Sequence, residues 1–102
     1  MEEKYWIGMD LKFAITITAD GFNMDDDDYE ITVGNGSKQV VVEKAKIVKG
    51  ANGEHLLLLD TTQFPSGTLR IVVSAKVRDN DFDTGIRREV WAKELCLIEH
   101  PW

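Results

Sequence analysis

Apolar and polar side chains alternate with a period of two along much of this chain, and that spacing restricts it to β structure. In "LKFAITITA", Leu11, Phe13, Ile15 and Ile17 alternate with Lys12, Ala14, Thr16 and Thr18. Residues two apart on a strand share a face, so this pattern predicts a half-buried strand. "GTLRIVVSAKV" repeats it, with Leu69, Ile71, Val73, Ala75 and Val77 on one face and Val72 the one apolar residue opposite. "YEITV" sends Tyr29, Ile31 and Val33 inward. "QVVVEKAKIV" is β-branched and reads as a strand with a turn or bulge inside it. "EHLLLLD" reads as a buried run, too short for a typical helix.

Turn residues separate these runs. "VGNGSK" and "KGANGEH" each carry Asn-Gly, which accepts positive φ and favours tight hairpins. "FPSG" combines Pro65 with Gly67, and "DNDFDTG" is a fourth break. Both prolines, Pro65 and Pro101, fall outside the strand interiors, where a missing N–H would break a ladder. "IRREVWAKELCLIEH" is harder. Its residues favour helix, yet Val90 and Ala92 lie on one face of a strand while Trp91, Leu95 and Leu97 lie on the other. A long strand with a bulge near Lys93 reconciles them and completes a sheet. The expected fold is therefore all-β, an immunoglobulin-like antiparallel β-sandwich of 6–8 strands forming a single domain. Residues 1–9 are expected as an N-terminal extension and 10–102 as the domain. Phe64 is expected to pack under the next strand at a corner, with Gly67 turning the chain.

A length of 102 residues allows one core. The 43% hydrophobic and 29% charged content is that of a folded domain. A net charge of -6 opposes both nucleic acid and anionic membrane as partners, since each demands a basic face. No apolar run reaches the roughly 18 residues of a membrane span. "MEEKYWIGMD" has no apolar core of a secretory signal. The expected location is the cytoplasm or a virion. Cys96 is the one cysteine, so no disulfide within the chain is possible, and its apolar neighbours predict a buried, inert thiol.

The aspartates pose the sharpest chemical question. Asp79, Asp81 and Asp83 stand at alternate positions before Gly85, and Asp25 to Asp28 run consecutively. Calcium needs six or more oxygens, of which alternate carboxylates supply three. Counting from Asp79, however, loop position six is Thr84 and position twelve is Val90, with Glu89 one short. A wet hairpin tip accounts for the same residues, and that is the reading adopted: no metal and no cofactor. His55 and His100 lack metal-ligand spacing, Ser66 is explained by its turn, and "GNGSK" lacks the Gly-Lys-Ser/Thr ending of a phosphate loop. With 18 acidic residues, neighbouring carboxylates need no catalytic explanation. The chain reads as no enzyme.

Tyr5, Trp6, Trp91 and Trp102 are the interface candidates, because exposed Trp and Tyr anchor partners or stack on sugar rings. Core packing is expected to take at least one of Trp6 and Trp91, while Trp102 beside Pro101 is hard to bury.

Asp20-Gly21 after the opening strand, Leu59-Asp60-Thr61 before Phe64 and Gly67, and the acidic turn before Arg87 or Arg88 with Glu89 carry a resemblance. Through them the chain resembles small β-sandwich proteins of phage and prophage tail regions in Bacteroides-type bacteria. It is more distantly similar to the N-terminal immunoglobulin-like domain of phage upper baseplate proteins. The resemblance implies a structural assembly component that binds protein partners or a further copy of itself. Apolar anchors or an edge strand would do the docking. The alternative is a carbohydrate-binding or adhesion module with exposed aromatics as sugar platforms and calcium at the aspartate loops.

Overall fold

A computed structural model describes residues 3–36 and 38–102; Met1, Glu2 and Ser37 lie outside it. Eight strands run in chain order: β1 (Lys4–Trp6), β2 (Asp10–Ile15), β3 (Tyr29–Asn35), β4 (Lys38–Glu43), β5 (Val48–Lys49), β6 (His55–Asp60), β7 (Gly67–Arg78) and β8 (Ile86–Glu99). They form one sheet in the order β1-β8-β7-β3-β4 and another in the order β2-β6-β5. All-β, two-sheet architecture follows the sequence expectation. One ladder departs from an all-antiparallel pattern: β1 runs parallel to β8, Lys4 opposite Leu97. Residues 1–9, expected as an extension, thus contain a strand of the larger sheet, and Tyr5 and Ile7 pack against the core.

The two sheets meet over the residues that the alternation selects. Leu11, Leu57 and Leu59 of the smaller sheet face Tyr29, Ile31, Val33, Leu69, Ile71, Val73 and Ala75 of the larger. Each fully buried aliphatic side chain here contributes roughly 1.5–3 kcal/mol of burial. The Leu56–Leu59 run corrects the sequence reading. Leu57 and Leu59 are buried, but Leu58 is 50% exposed, because among the described residues no element packs on the outer face of the three-stranded sheet. The turn expected within "QVVVEKAKIV" is a 3₁₀ turn at Lys44–Lys46, which carries the chain from one sheet to the other.

At the corner between β6 and β7, Asp60 accepts from the backbone of Thr62 at 3.0 Å and starts a 3₁₀ turn. Thr61 is fully buried; its Oγ1 donates to the Met9 carbonyl at 2.7 Å and accepts from the Gly8 N–H at 2.9 Å. That pair of bonds fastens the start of β2 to the corner. Phe64 is buried beneath, as expected. Gly67 takes φ 133°, and a Cβ there would stand 3.1 Å from Asn35 Nδ2. Both the angle and the space require glycine.

β8 is a strand throughout, 14 residues long, and its bulge lies two residues beyond the expected place. Leu69 pairs with Cys96 and Arg70 with Glu94, so Leu95 is the extra residue. Before it, Arg87, Glu89, Trp91 and Lys93 lie opposite Val77, Ala75, Val73 and Ile71 on the inner face. After it, Cys96 and Ile98 take that face and are fully buried. The bulge exchanges odd for even, which is why the segment fits neither period.

Candidate functional site

Asp25, Asp27, Asp28 and Asp79 lie against the protein's own cations. In the β7–β8 turn, Asp79 Oδ1 accepts the Asp81 N–H at 3.0 Å, and Asp79 Oδ2 pairs with the Arg87 guanidinium. The Asp81 N–H, then Arg87, hold the Asp79 carboxyl below the usual aspartate range. Arg87 also reaches Glu89 at 3.0 Å and the Asp20 carbonyl at 3.3 Å, tying the turn to the end of the β2 segment. Glu89, then Asp79, push its own pKa up. Asp81 and Asp83 point into solvent at the tip.

The Asp25–Asp28 run is handled the same way. Asp25 pairs with Lys49 and, at 3.1 Å, with His55 Nε2; Lys49 first, then His55, depress its pKa. Asp27 is buried, caps the Asn23 N–H at 2.9 Å and lies 3.1 Å from Arg78 Nε. Lys76 stands 3.8 Å from Asp28. Because Arg78 precedes Asp79, the two acidic segments lie at one end of the molecule, with arginine and lysine between them. Among the described residues, no three His, Cys, Asp or Glu side chains converge as a metal site.

The aromatics distribute differently from expectation. Neither Trp6 nor Trp91 is in the core: they are 45% and 37% exposed. Tyr29 and Phe64 take the buried aromatic places instead. Trp6 carries the Lys4 ammonium 4.7 Å from its ring centre. Tyr5 packs edge-on to Phe13 at 6.4 Å, and its hydroxyl bonds Glu3, which raises its pKa. Trp102 is 89% exposed beside the His100 ring. Tyr5, Trp6 and Trp102 lie toward one end, since Trp6 is opposite Glu99. Trp91 stands alone, eight residues back along β8, or about 25 Å at the usual rise.

What surrounds Trp91 makes the most developed site. On one side β8 is paired to β7 along its length. On the other, β1 covers only Leu97 to Glu99, so among the described residues Ile86 to Leu95 have no second strand on that side. Beneath that open edge, a cleft of about 550 Å³ separates β8 from β2 and the residues after it. Phe13, Ile15, Ile17, Val73, Trp91 and Leu95 give it apolar walls. Edge N–H and C=O groups next to an apolar trough are the elements of strand addition. Trp91 was named from the sequence as an interface candidate, and the structure places it half-exposed on the wall of this cleft. The edge was not legible there, because it depends on where β1 stops. Arg87 was also missed as the residue that neutralises the tip; a hairpin register centred on "DNDFDTG" would have set it near Asp79.

No protein-family model matches the chain, and no curated protein and no solved structure matches it either.

Proposed function

We propose that this chain is a non-catalytic, immunoglobulin-like module that works by docking other protein chains in a phage-tail or related mobile-element assembly. The observation that carries the docking is the unpaired Ile86–Leu95 edge of β8 with the Trp91 cleft below it. A long open edge invites aggregation unless something covers it, so retaining one fits a chain that works in an assembly. Support for the fold comes from strand order. The two sheets, β2-β6-β5 and β1-β8-β7-β3-β4, with Phe64 at the corner before β7, are an arrangement in keeping with an immunoglobulin-like reading. The assembly setting rests on the turn motifs named above: Asp20-Gly21, Leu59-Asp60-Thr61 and Arg87 with Glu89. A net charge of -6 keeps nucleic acid and anionic membrane off the list of partners.

Particles released on prophage induction from a strain carrying the gene, purified and analysed by mass spectrometry, are expected to contain this chain in fixed ratio to the tail proteins. Its absence from such particles would remove the assembly reading. The carbohydrate-binding alternative draws on the open ring of Trp102. Tryptophan fluorescence that responds to sugars on a glycan panel would favour it.

A further inference from the structure

We infer that the partner of the β8 edge is a second copy of this chain, paired antiparallel to the first across a two-fold axis at Trp91. This rests on the reading of that edge as the docking surface. The argument is charge complementarity within one strand. Around Trp91 the sequence runs Arg88, Glu89, Val90, Trp91, Ala92, Lys93, Glu94. An antiparallel copy that sets Trp91 against Trp91 places Arg88 opposite Glu94, Glu89 opposite Lys93 and Val90 opposite Ala92. Two-fold symmetry makes each of these pairs twice. Every charge in the segment meets its opposite, and every apolar residue meets an apolar one. Opposite charges directly across a ladder stabilise it, and like charges weaken it.

Neighbouring registers lack this property. Sliding one residue one way sets Arg88 against Lys93, and sliding the other way sets Glu89 against Glu94. Either slip would also continue the inner face of one copy into the outer face of the other. Of these three registers, only the Trp91-centred one keeps both faces and sets every charge from Arg88 to Glu94 opposite its counter-charge, while Arg87 stays paired with Glu89 in its own chain.

The surfaces on each side agree with it. Val41, Thr32, Val72 and Ala92 form a row straight across the outer face of the larger sheet. In the paired assembly that row runs on into Val90 of the second copy, and Val90 is 63% exposed in the single chain. On the inner face the two Trp91 rings meet at the axis above both apolar clefts. Lys93 and Arg88 have no ion pair among the described residues, while Glu94 has only the loose 3.6 Å contact with Arg70. They are thus placed to engage a partner. The result is one ten-stranded sheet with a three-stranded sheet beneath each half.

Sedimentation analysis of the wild-type chain up to about 100 μM should show a dimer. Arg88→Glu and Glu94→Arg should each raise the dimer dissociation constant about tenfold or more, since each creates two like-charge pairs. The double variant Arg88→Glu with Glu94→Arg should restore it. A monomer throughout, or a dimer indifferent to all three variants, overturns the inference. Unchanged circular dichroism of the single variants separates lost pairing from lost folding. A photo-cross-linking residue incorporated at Val90 during synthesis, in particles then purified, distinguishes this proposal from the one it rests on. A cross-link to a second copy supports it. A cross-link to a different protein overturns the dimer and keeps the docking edge, and no cross-link from that edge removes both.

Discussion

The buried carboxylate of Asp27 lies 3.1 Å from the guanidinium of Arg78, which joins the loop before β3 to the end of β7. Asp27 also caps the Asn23 N–H at 2.9 Å. Asp27→Ala removes both bonds and leaves a backbone donor without its acceptor. The expected cost is about 1–3 kcal/mol in urea denaturation. A variant as stable as the wild type would mean that this loop contributes nothing to the fold.

Acid should weaken the chain in a particular way. Asp79 and Asp25 both have folded pKa values below the ordinary 3.8. The unfolded chain therefore binds protons first as pH falls. Stability from these groups is complete above 3.8 and is lost as pH drops through their folded values. In melting curves over this range, the difference between wild type and Asp79→Asn should shrink as pH falls. A difference independent of pH would sink the assignment.

Gly67→Ala combines a positive φ with a contact 3.1 Å from Asn35 Nδ2. Asn35 Nδ2 is itself held by the Pro65 carbonyl at 2.6 Å. The substitution should cost about 1–3 kcal/mol, read as a lower melting temperature. Shortening the neighbour in Asn35→Ala should relieve only the contact, so the double variant should recover part of the loss.

Leu57 and Leu58 are adjacent in the sequence and opposite in consequence. Leu57→Ala empties a fully buried site between the sheets and should cost about 2–5 kcal/mol. Leu58→Ala trims a half-exposed side chain and should stay within about 0.5 kcal/mol. Equal losses in denaturation would mean that the outer face of the smaller sheet is covered in solution.

Calcium at millimolar concentration should leave the melting temperature unchanged in calorimetry. Asp79 has one oxygen on the Asp81 N–H and the other on Arg87, so it has no cost-free ligand to offer. A rise of several degrees would show that a cation displaces Arg87.

The strands and their faces were legible because one face of each sheet is buried. Tyr29, Ile31 and Val33, or Leu69 through Val77, announce themselves by alternation alone. What the sequence hid depends on partners far along the chain. Leu95 becomes the bulge only through the register of β7, so local pattern located it no better than Lys93. At least one of Trp6 and Trp91 was expected in the core, yet the space between the sheets is filled by Tyr29, Phe64 and aliphatics. The exposure of Leu58 follows from a missing third layer, which no run of four leucines encodes. At the open edge of β8, Trp91 stood out in the sequence and the opening did not, since the length of β1 decides it.

The parallel pairing of β1 with β8 has a mechanical consequence. Tension entering at Lys4 and leaving beyond Glu99 would act along both strands in opposite senses, and the bonds between them, among them Leu97 N–H to Glu3 and Ile7 N–H to Glu99, would be strained together. Pulled by those two points, the molecule should resist as a clasp in shear and let go in one abrupt rupture, where a zipper would peel bond by bond.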